Sequence, residues 1–478
     1  MAHAPKISSW LSRSLTFLSR RVATRGVFSS CCFTTRFGSN SIQSRHLTTS
    51  APPVKYKFID GVEDIRQYRL GRYHPIHIDD RLNNRYRVVD KLGHGSFSTV
   101  WLALDEKITK YVAIKVGTTD ANRREIDTIS QITQSHVMEN ARTDHKLLFP
   151  TVLDRFDIIG PNGTHSCLVT PPARCSLRDS QDAGHSSFFQ LDVARSFAAQ
   201  LVIALSIVHK SGFAHGDLHI GNLFLQLPSS FDNLSVEQLY DRYGEPTKEP
   251  VVCLDPEAAT THPSVPTYAV HSAWLGIPSD NVKLGEAKLI LSDFGVAFRP
   301  DEKSQYISHA TAVMRPPESQ FEPEVPLSLA SDIWSLGCAI FELLGHRTLL
   351  DGYYAIDEDD ITAQQIELQG PMPPEWWSRW KGRPIYFDEE GNRTNISWDD
   401  WPWERRFGEW VQDMRQKRGM GKFGEDEIDA LIKLLRSMLA WKPSERPDIS
   451  KVLQSEWMTK WALPAYQKGL EECAPGSN

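Results

Sequence analysis

Two short stretches of the 478-residue chain hold polar side chains of the kinds that act on a nucleotide. In the loop 215–222, Asp217 is followed five residues later by Asn222, and Asp293 precedes a Phe-Gly pair further along. The first carboxylate can orient a hydroxyl and accept its proton, while the amide and the second carboxylate can hold magnesium on phosphates. The spacing therefore predicts a phosphoryl-transfer site, with Asp217 as a catalytic residue and Asn222 and Asp293 as metal ligands.

A stretch with two glycines nearer the start would surround the nucleotide. Residues 86–92 and 96–103 carry β-branched and aromatic side chains on either side of these glycines, which predicts a hairpin whose tip can approach phosphates without a Cβ in the way. Lys115 follows at the distance of the next strand and can reach the α- and β-phosphates, so it is predicted to be catalytic. The predicted nucleotide-binding residues are Leu92, Gly93, His94, Gly95, Ser96, Val100, Ala113, Lys115, Glu125 and Ala173.

The position of the lysine depends on a carboxylate partner. Glu125 lies in a stretch with helical spacing, 123–132, and is expected to form an ion pair with Lys115. Asp127 is the competing choice for this partner. A third interpretation leaves Glu125 as a solvated acid on the surface.

A proline-containing stretch, 170–174, is predicted to be the hinge against which adenine lies. Two prolines look damaging there, because each lacks an N–H. The N–H of Ala173 and the carbonyl of Pro171 can serve the base instead, and neither contact needs a proline N–H. The hinge is therefore compatible with nucleotide binding.

The secondary-structure pattern divides the chain into two unlike regions. Short alternating strands dominate residues 86–170, and helical periodicity dominates 175–461, including a buried helix at 197–208 that leads to the loop of Asp217. This pattern predicts an α+β fold with a small, mostly β N-lobe and a larger, mostly α C-lobe. The apolar run of that helix is shorter than the ~18 residues of a membrane span, so no span is expected.

The first 59 residues differ in composition from the rest, because they contain no Asp or Glu but nine Lys or Arg among many Ser and Thr. This composition is typical of a mitochondrial transit peptide, with cleavage expected between residues 47 and 56. The alternatives are a disordered basic arm or a misassigned start, and the protein would then be cytoplasmic or nuclear. The remaining chain is acidic, which disfavours direct nucleic-acid binding and suits a basic partner.

Longer strings resemble the SR-protein kinase family from about residue 73 to residue 461. The 70 residues between Asn222 and Asp293 stand where that family carries its spacer. The resemblance implies the two-lobed protein kinase fold and an ATP- and magnesium-dependent serine/threonine kinase, expected to be a monomer. The matching strings are residues 85–88, 95–103, 162–165 and 357–361, together with 371–377, which resemble the divergent fungal branch. The flanking segments are an N-terminal extension at 60–85, the spacer insert at 228–286 and a C-terminal tail at 462–478.

Two further strings, 314–318 and 331–337, resemble the end of a kinase activation segment and the buried helix beneath it. The first contains Glu318, which is predicted to pair with Arg446 inside the larger lobe. Together with Asp332 in the second string, this pair is expected to have a structural role.

Three features depart from the family pattern: two residue types, and the ten positions from Lys115 to Glu125, which shorten the entry to the helix. Gly216 stands where most kinases have an arginine that binds a phosphorylated activation loop, and His219 replaces the lysine that steadies the transferred phosphate. His219 is still counted as catalytic, because small-molecule phosphotransferases of the aminoglycoside and choline kinase type have a histidine there. Such a phosphotransferase, or a pseudokinase scaffold, therefore remains an alternative.

Four consecutive acids, Asp357, Glu358, Asp359 and Asp360, precede Glu367, which a helix would return to nearly the same face as Asp360. The family resemblance implies a groove near this segment that docks Arg/Ser repeats. Carboxylates favour arginine there through bidentate contacts, so the expected partner is a basic, Arg/Ser-rich protein substrate. The alternative is a solvated loop followed by an ordinary surface helix.

Overall fold

Six antiparallel strands form the sheet of the smaller lobe in the computed structural model, which describes residues 55–121, 124–255, 263–352, 357–389, 391–394 and 401–473. Their spatial order is β1-β2-β3-β4-β6-β5, and alternate apolar residues such as Trp101 and Ile114 fill one face. Three helices lie between β4 and β5. The elements are β1 (Arg81–Leu82), β2 (Tyr86–Gly95), β3 (Ser98–Asp105), β4 (Lys110–Gly117), α1 (Arg124–Thr133), α2 (His136–Glu139), α3 (Thr143–Lys146), β5 (Asp154–Gly160) and β6 (Gly163–Thr170).

The larger lobe begins with a long buried helix. After β7 (Ala173–Ser176) and α4 (Leu177–Ala183), helix α5 (Leu191–Lys210) leads to the loop of Asp217 and to β8 (Leu223–Gln226). Helix α5 extends beyond the predicted 197–208 at both ends. It is long and apolar enough to cross a membrane, but 83% of its apolar window is buried inside the protein, as in the core helix of a globular lobe.

The insert contains a helix, α6 (Val236–Tyr243), and a two-stranded ladder of β9 (Lys248–Pro250) and β10 (Tyr268–Val270). Leu239 of α6 packs with Leu275 of the insert against Leu102 of the N-lobe sheet. A capping box at the start of α6, formed by Ser235 and Gln238, fixes where this helix begins. The insert therefore covers part of the smaller lobe.

A three-stranded sheet, in the order β11-β8-β7, carries the catalytic segments of the larger lobe. It is completed by β11 (Leu289–Leu291), which directly precedes Asp293. The remaining helices are α7 (Glu318–Phe321), α8 (Leu329–Leu344), α9 (Glu358–Gln369), α10 (Pro374–Arg379), α11 (Arg383–Tyr386), α12 (Trp403–Arg406), α13 (Met414–Lys417), α14 (Glu425–Met438), α15 (Ile449–Leu453) and α16 (Leu463–Cys473). Many of them pack with α5 in the main core, while Phe321, Trp376 and Tyr386 of α7, α10 and α11 lie in a separate aromatic cluster.

The N-terminal extension is folded onto the smaller lobe and the insert. Ile59, Ile65, Tyr68 and Tyr73 are buried in one cluster with Ala269 of β10. Ile59 and residue 57 belong to the short described stretch just before the extension, and the backbone N–H of residue 57 donates to the carbonyl of residue 252 at 2.9 Å, which ties this stretch to the insert. Extension and insert thus form one additional layer on the N-lobe.

Candidate active site

Three charged side chains meet between the lobes. Lys115 Nζ on β4 lies 2.8 Å and 2.7 Å from the two carboxylate oxygens of Glu125 on α1, and 3.2 Å from Oδ1 of Asp293. Burial works to lower the pKa of Lys115, but the two carboxylates outweigh it and raise this pKa above its ordinary value. The lysine therefore stays charged in the cleft. Asp127, the competing partner, lies 4.0 Å from Arg155 instead.

Asp293 holds an unusual backbone conformation. Its φ is +64°, in the left-handed region that residues other than glycine rarely adopt. The Lys115 ammonium, against the opposing effect of burial, holds the pKa of Asp293 below its ordinary value. The next residue, Phe294, is buried with its ring centre 5.0 Å from that of His215 and 6.3 Å from that of Phe149. Packing of Phe294 thus keeps the ionised Asp293 turned towards Lys115.

The catalytic loop brings Asp217, His219 and Asn222 together. Asn222 Nδ2 donates to the backbone carbonyl of Asp217 at 2.9 Å, which leaves the amide oxygen free to act as a ligand. Asp217 Oδ1 is buried and accepts no hydrogen bond from the described residues, while Oδ2 lies 3.8 Å from His219 Nε2. His219 Nδ1 accepts from the N–H of Gly221 at 3.1 Å, so the neutral ring carries its proton on Nε2. That proton faces the same space as Asp217.

Asp332 of α8 holds this loop from below. Its carboxylate accepts from the N–H groups of His215 at 2.7 Å and Gly216 at 2.9 Å, and bonds His209 Nε2 at 2.9 Å. Burial alone would raise the pKa of Asp332, but these donors hold it below its ordinary value. Asp332 therefore fixes the backbone of the catalytic loop and has no direct contact with Asp217 or Asn222 among the hydrogen bonds of the described residues.

Glycine is required at position 216 by the backbone. Its φ is +82°, and a Cβ there would lie 3.1 Å from the carbonyl oxygen of Val296. An arginine with this backbone conformation would be strained. The conformation of the loop therefore accounts for the glycine that departs from the family pattern.

The hairpin tip at residues 93–97, called the phosphate loop below, connects β2 and β3. Gly93, Gly95 and Ser96 lie at this tip, and Val100 stands opposite Lys115 in the β3–β4 ladder. Leu92 packs against the cluster beneath the insert. The side chain of His94 lies near the backbone of Gly61 in the extension, and burial lowers its pKa. The assignment of His94 to the nucleotide-binding residues stays a prediction.

The hinge lies between two paired residues. Ala113 pairs with Thr170 at the end of β6, and Ala173 pairs with Gln226 at the start of β7. Only the two prolines therefore separate the strands of the two lobes. This arrangement brings Ala113 and Ala173 to the same end of the cleft.

The structural pair forms as expected inside the larger lobe. Arg446 donates to Glu318 through two parallel bonds of 2.8 Å and 2.6 Å, and both residues are buried. Arg446 also donates to the backbone carbonyls of Ala330, Ala440 and Trp441. The bidentate pair therefore fixes the segment after the activation loop to the turn of Arg446, and the bond to Ala330 joins this turn to α8.

The predicted docking acids are largely occupied by the protein itself. Asp357 caps α9, accepting from the N–H groups of Asp359 at 2.9 Å and Asp360 at 3.1 Å. The side chain of Asp359 accepts from Trp380 Nε1 at 2.6 Å. Glu358 pairs with Arg315 and keeps 54% of its side chain exposed. Asp357 and Glu358 are thus the two exposed acids among these four, and the carboxylate of Asp357 is already used as the helix cap.

The docking prediction is wrong for Asp360 and Glu367. The two do share a face of α9, but this face is turned inwards, where Asp360 accepts from the Tyr386 hydroxyl at 2.6 Å. Glu367 pairs with Arg393 and with Arg406, at 2.8 Å from the latter, and only 8% of its side chain is exposed. Glu367 is held by Arg393 and by Arg406, which is buried on α12, and Asp360 is held by the Tyr386 hydroxyl, so neither carboxylate is available to a substrate.

Sequence reasoning missed the contribution of the extension to this site. Tyr73 and Arg72 donate to backbone carbonyls of the phosphate loop, and Lys91, fully buried on β2, pairs with Glu63. Lys91 was the residue from which this contribution could have been predicted. It stands at an inward-facing position of a strand, and a buried ammonium needs a carboxylate partner.

Comparison with known proteins agrees with the fold. Residues 86–232 and 277–458 match the protein kinase domain family. The chain is 28% identical over 412 residues to the serine/threonine-protein kinase SRPK of Physarum polycephalum, covering 84% of this chain and 91% of that protein. It is 24% identical over 424 residues to a serine/threonine protein kinase of Aspergillus fumigatus, covering 84% and 93%. A shorter match, 32% over 167 residues, covers 34% of this chain and 29% of the human SRSF protein kinase 3.

The chain belongs to the protein kinase family. Among protein kinases it is similar to the SRPK enzymes, and its fold is the two-lobed kinase fold. It is accordingly a serine/threonine protein kinase, and neither the small-molecule phosphotransferase nor the scaffold alternative is favoured.

Proposed function

We propose that this kinase is catalytically active, uses ATP with magnesium, and phosphorylates basic, Arg/Ser-rich proteins. The observation that carries the first part is the geometry of Lys115, which contacts both Glu125 and Asp293. A catalytically silent scaffold has no need to keep this set together with Asp217 and Asn222. The donor set also fits the metal, because Asp293 and Asn222 supply the hard oxygen ligands that magnesium prefers.

In this proposal each side chain has one task. Lys115 neutralises phosphate charge, and Asp293 and Asn222 hold the metal, which supplies Lewis-acid stabilisation when bound. Asp217 orients the serine hydroxyl and accepts its proton through its carboxylate, since 25% of this side chain is exposed. The Nε2–H of His219 neutralises part of the negative charge that gathers beside Asp217.

The preference for Arg/Ser-rich substrates rests on charge and on similarity. The chain carries a net charge of −7 with its basic arm included. Glu358 is the exposed acid of α9 best placed to attract arginine, and its present partner Arg315 can be exchanged for an arginine of the substrate. The similarity to SRPK enzymes supports the same substrate class.

The test compares two peptides of equal length, one with Arg/Ser repeats and one with Lys/Ser repeats. The purified enzyme should phosphorylate the first with at least severalfold higher kcat/KM, because a guanidinium bonds carboxylates in a bidentate manner and an ammonium does not. The Asp217→Ala variant sets the background. Equal rates on both peptides would reject the substrate class, and a rate equal to that of Asp217→Ala on every protein tested would reject activity.

We also propose a mitochondrial location, on the composition of residues 1–59. Most of this stretch lies outside the described residues. A fluorescent reporter fused behind residues 1–59 should enter mitochondria and be shortened between residues 47 and 56. A diffuse or nuclear reporter would contradict the proposal.

A further inference from the structure

The N-terminal extension touches the tip of the phosphate loop through two neighbouring side chains. The hydroxyl of Tyr73 donates to the carbonyl of Gly95 at 2.6 Å, and Arg72 Nη2 donates to the carbonyl of Ser96 at 3.2 Å. The guanidinium of Arg72 also lies 5.6 Å from the ring centre of Phe97. Three consecutive residues of the loop are therefore held from outside the kinase domain.

Both side chains are fixed by contacts of their own. Arg72 Nη1 donates to Asp120 at 2.7 Å, and its Nε donates to Gln67 Oε1 at 3.1 Å. The ring of Tyr73 is buried, with its centre 5.6 Å from that of Tyr68. Little side-chain freedom is left to be lost when the loop is held, so these contacts are preorganised.

Buried contacts hold the extension itself against the N-lobe sheet and the insert. Lys91 and Glu63 form an ion pair in which both side chains are almost wholly buried, and the Tyr68 hydroxyl donates to the same carboxylate. Asn162, in the β5–β6 turn, donates through Nδ2 to the carbonyl of Tyr73 at 2.6 Å and to that of Ser264 in the insert at 2.8 Å. The insert and the sheet therefore hold the extension against the loop.

These contacts set the direction of the loop amides. A trans peptide points its C=O and N–H to opposite sides. Because the carbonyls of Gly95 and Ser96 are bonded to the extension, the N–H groups of Ser96 and Phe97 point away from it. Within the described chain, no backbone carbonyl or side chain accepts from either N–H.

We propose that Arg72 and Tyr73 are positioning residues for the nucleotide phosphates, acting through the phosphate loop. By holding two carbonyls, they keep the N–H groups of Ser96 and Phe97 oriented as phosphate donors before a nucleotide arrives. Binding then costs less loop entropy, and a loosened loop would release nucleotide faster. This inference rests on the proposed use of ATP with magnesium.

The experiment uses the full chain with the variants Tyr73→Phe, Arg72→Lys and Arg72→Ala/Tyr73→Phe. Tyr73→Phe removes one hydroxyl and keeps the ring in its cluster. Arg81→Ala is the matched control, because this arginine lies in the same extension but pairs with Glu106 on the surface. The measurements are the Kd of Mg-ADP by calorimetry, the KM for ATP, the KM for peptide, and amide hydrogen exchange of residues 93–99 without nucleotide.

Loss of both hydrogen bonds should raise the Kd of Mg-ADP and the KM for ATP about three- to tenfold. Exchange at residues 93–99 should become faster, and the KM for peptide should stay within twofold. The Kd of Mg-ADP for Arg72→Lys should lie between those of the wild type and the double variant. Lysine keeps the positive charge but loses the planar guanidinium, which makes several hydrogen bonds at once. Arg81→Ala should behave as the wild type.

The outcomes separate two failures. If the wild type binds Mg-ADP and the double variant binds it equally well, the positioning role is wrong, even if the double variant melts at a lower temperature. If the wild type does not bind Mg-ADP, the proposed use of ATP is wrong instead. Should the double variant fail to fold, Tyr73→Phe alone decides by the same Kd and exchange measurements.

Discussion

The cleft and helix α9 both gather acidic side chains, but the two regions use them differently. In the cleft, Glu125 and Asp293 share one lysine, and Asp217 keeps an oxygen without a partner among the described residues. On α9, Asp360 accepts a hydrogen bond from the Tyr386 hydroxyl, and Glu367 pairs with the buried Arg406. Acidic residues close together in sequence therefore do not by themselves make a binding surface. Whether the protein has already satisfied their charge decides what they can do.

Removing the cleft lysine gives the largest expected effect. Lys115→Met leaves the charges of Glu125 and Asp293 without their cation and removes the contact to phosphate, so turnover should fall by about 10²–10³-fold or more. The measurement is phosphate transfer to a basic protein at saturating ATP. Near-normal turnover of Lys115→Met would show that the charges in the cleft do not serve catalysis.

Glu367→Ala tests the other side of the comparison. It leaves Arg406 buried with a lost partner, so the free energy of unfolding should fall by about 3–5 kcal/mol in urea titrations. The control is Glu404→Ala, whose carboxylate pairs with Arg436 on the surface and whose loss should cost less than about 1 kcal/mol. An unchanged stability for Glu367→Ala, together with a raised KM for an Arg/Ser peptide, would restore the docking role.

Glu358→Lys sharpens the distinction within α9 itself. Because Glu358 is exposed, the change should leave stability within about 1 kcal/mol. The KM for an Arg/Ser-repeat peptide should rise about three- to fivefold at low salt, with less effect at high salt and a similar kcat. Glu404→Lys is the control for the charge reversal alone. The same KM at low salt in wild type and Glu358→Lys would remove this acid from the docking surface.

The smallest expected effect concerns activation. Gly216 offers no cation to a phosphorylated loop, while Phe294 is already packed and Lys115 already pairs with Glu125. Phosphatase treatment of the enzyme should therefore change its rate less than twofold. A drop of more than tenfold would mean that the cleft depends on a modification.

Much of the site could be predicted because its signals are local or repeat at fixed spacing. The loop of Asp217 and Asn222, the strand before Asp293 and the strand of Lys115 were all readable from residue type and periodicity, and the two-lobed fold was correctly predicted from them. Boundaries were less exact: α5 is longer than predicted because its first turn is not uniformly apolar. The helix α6 was missed because prolines and turn residues surround it.

The amino-acid sequence by itself determined which chemistry is present: the lysine, the two acids and the amide, and the glycines that let a backbone come close. Only the tertiary structure decided which charges remain available. Asp360 turned inwards to the Tyr386 hydroxyl and Glu367 to Arg406, and both of these partners are distant in sequence. Such pairings join residues far apart in the chain, and no local pattern encodes them, because burial and charge partners depend on how whole elements pack.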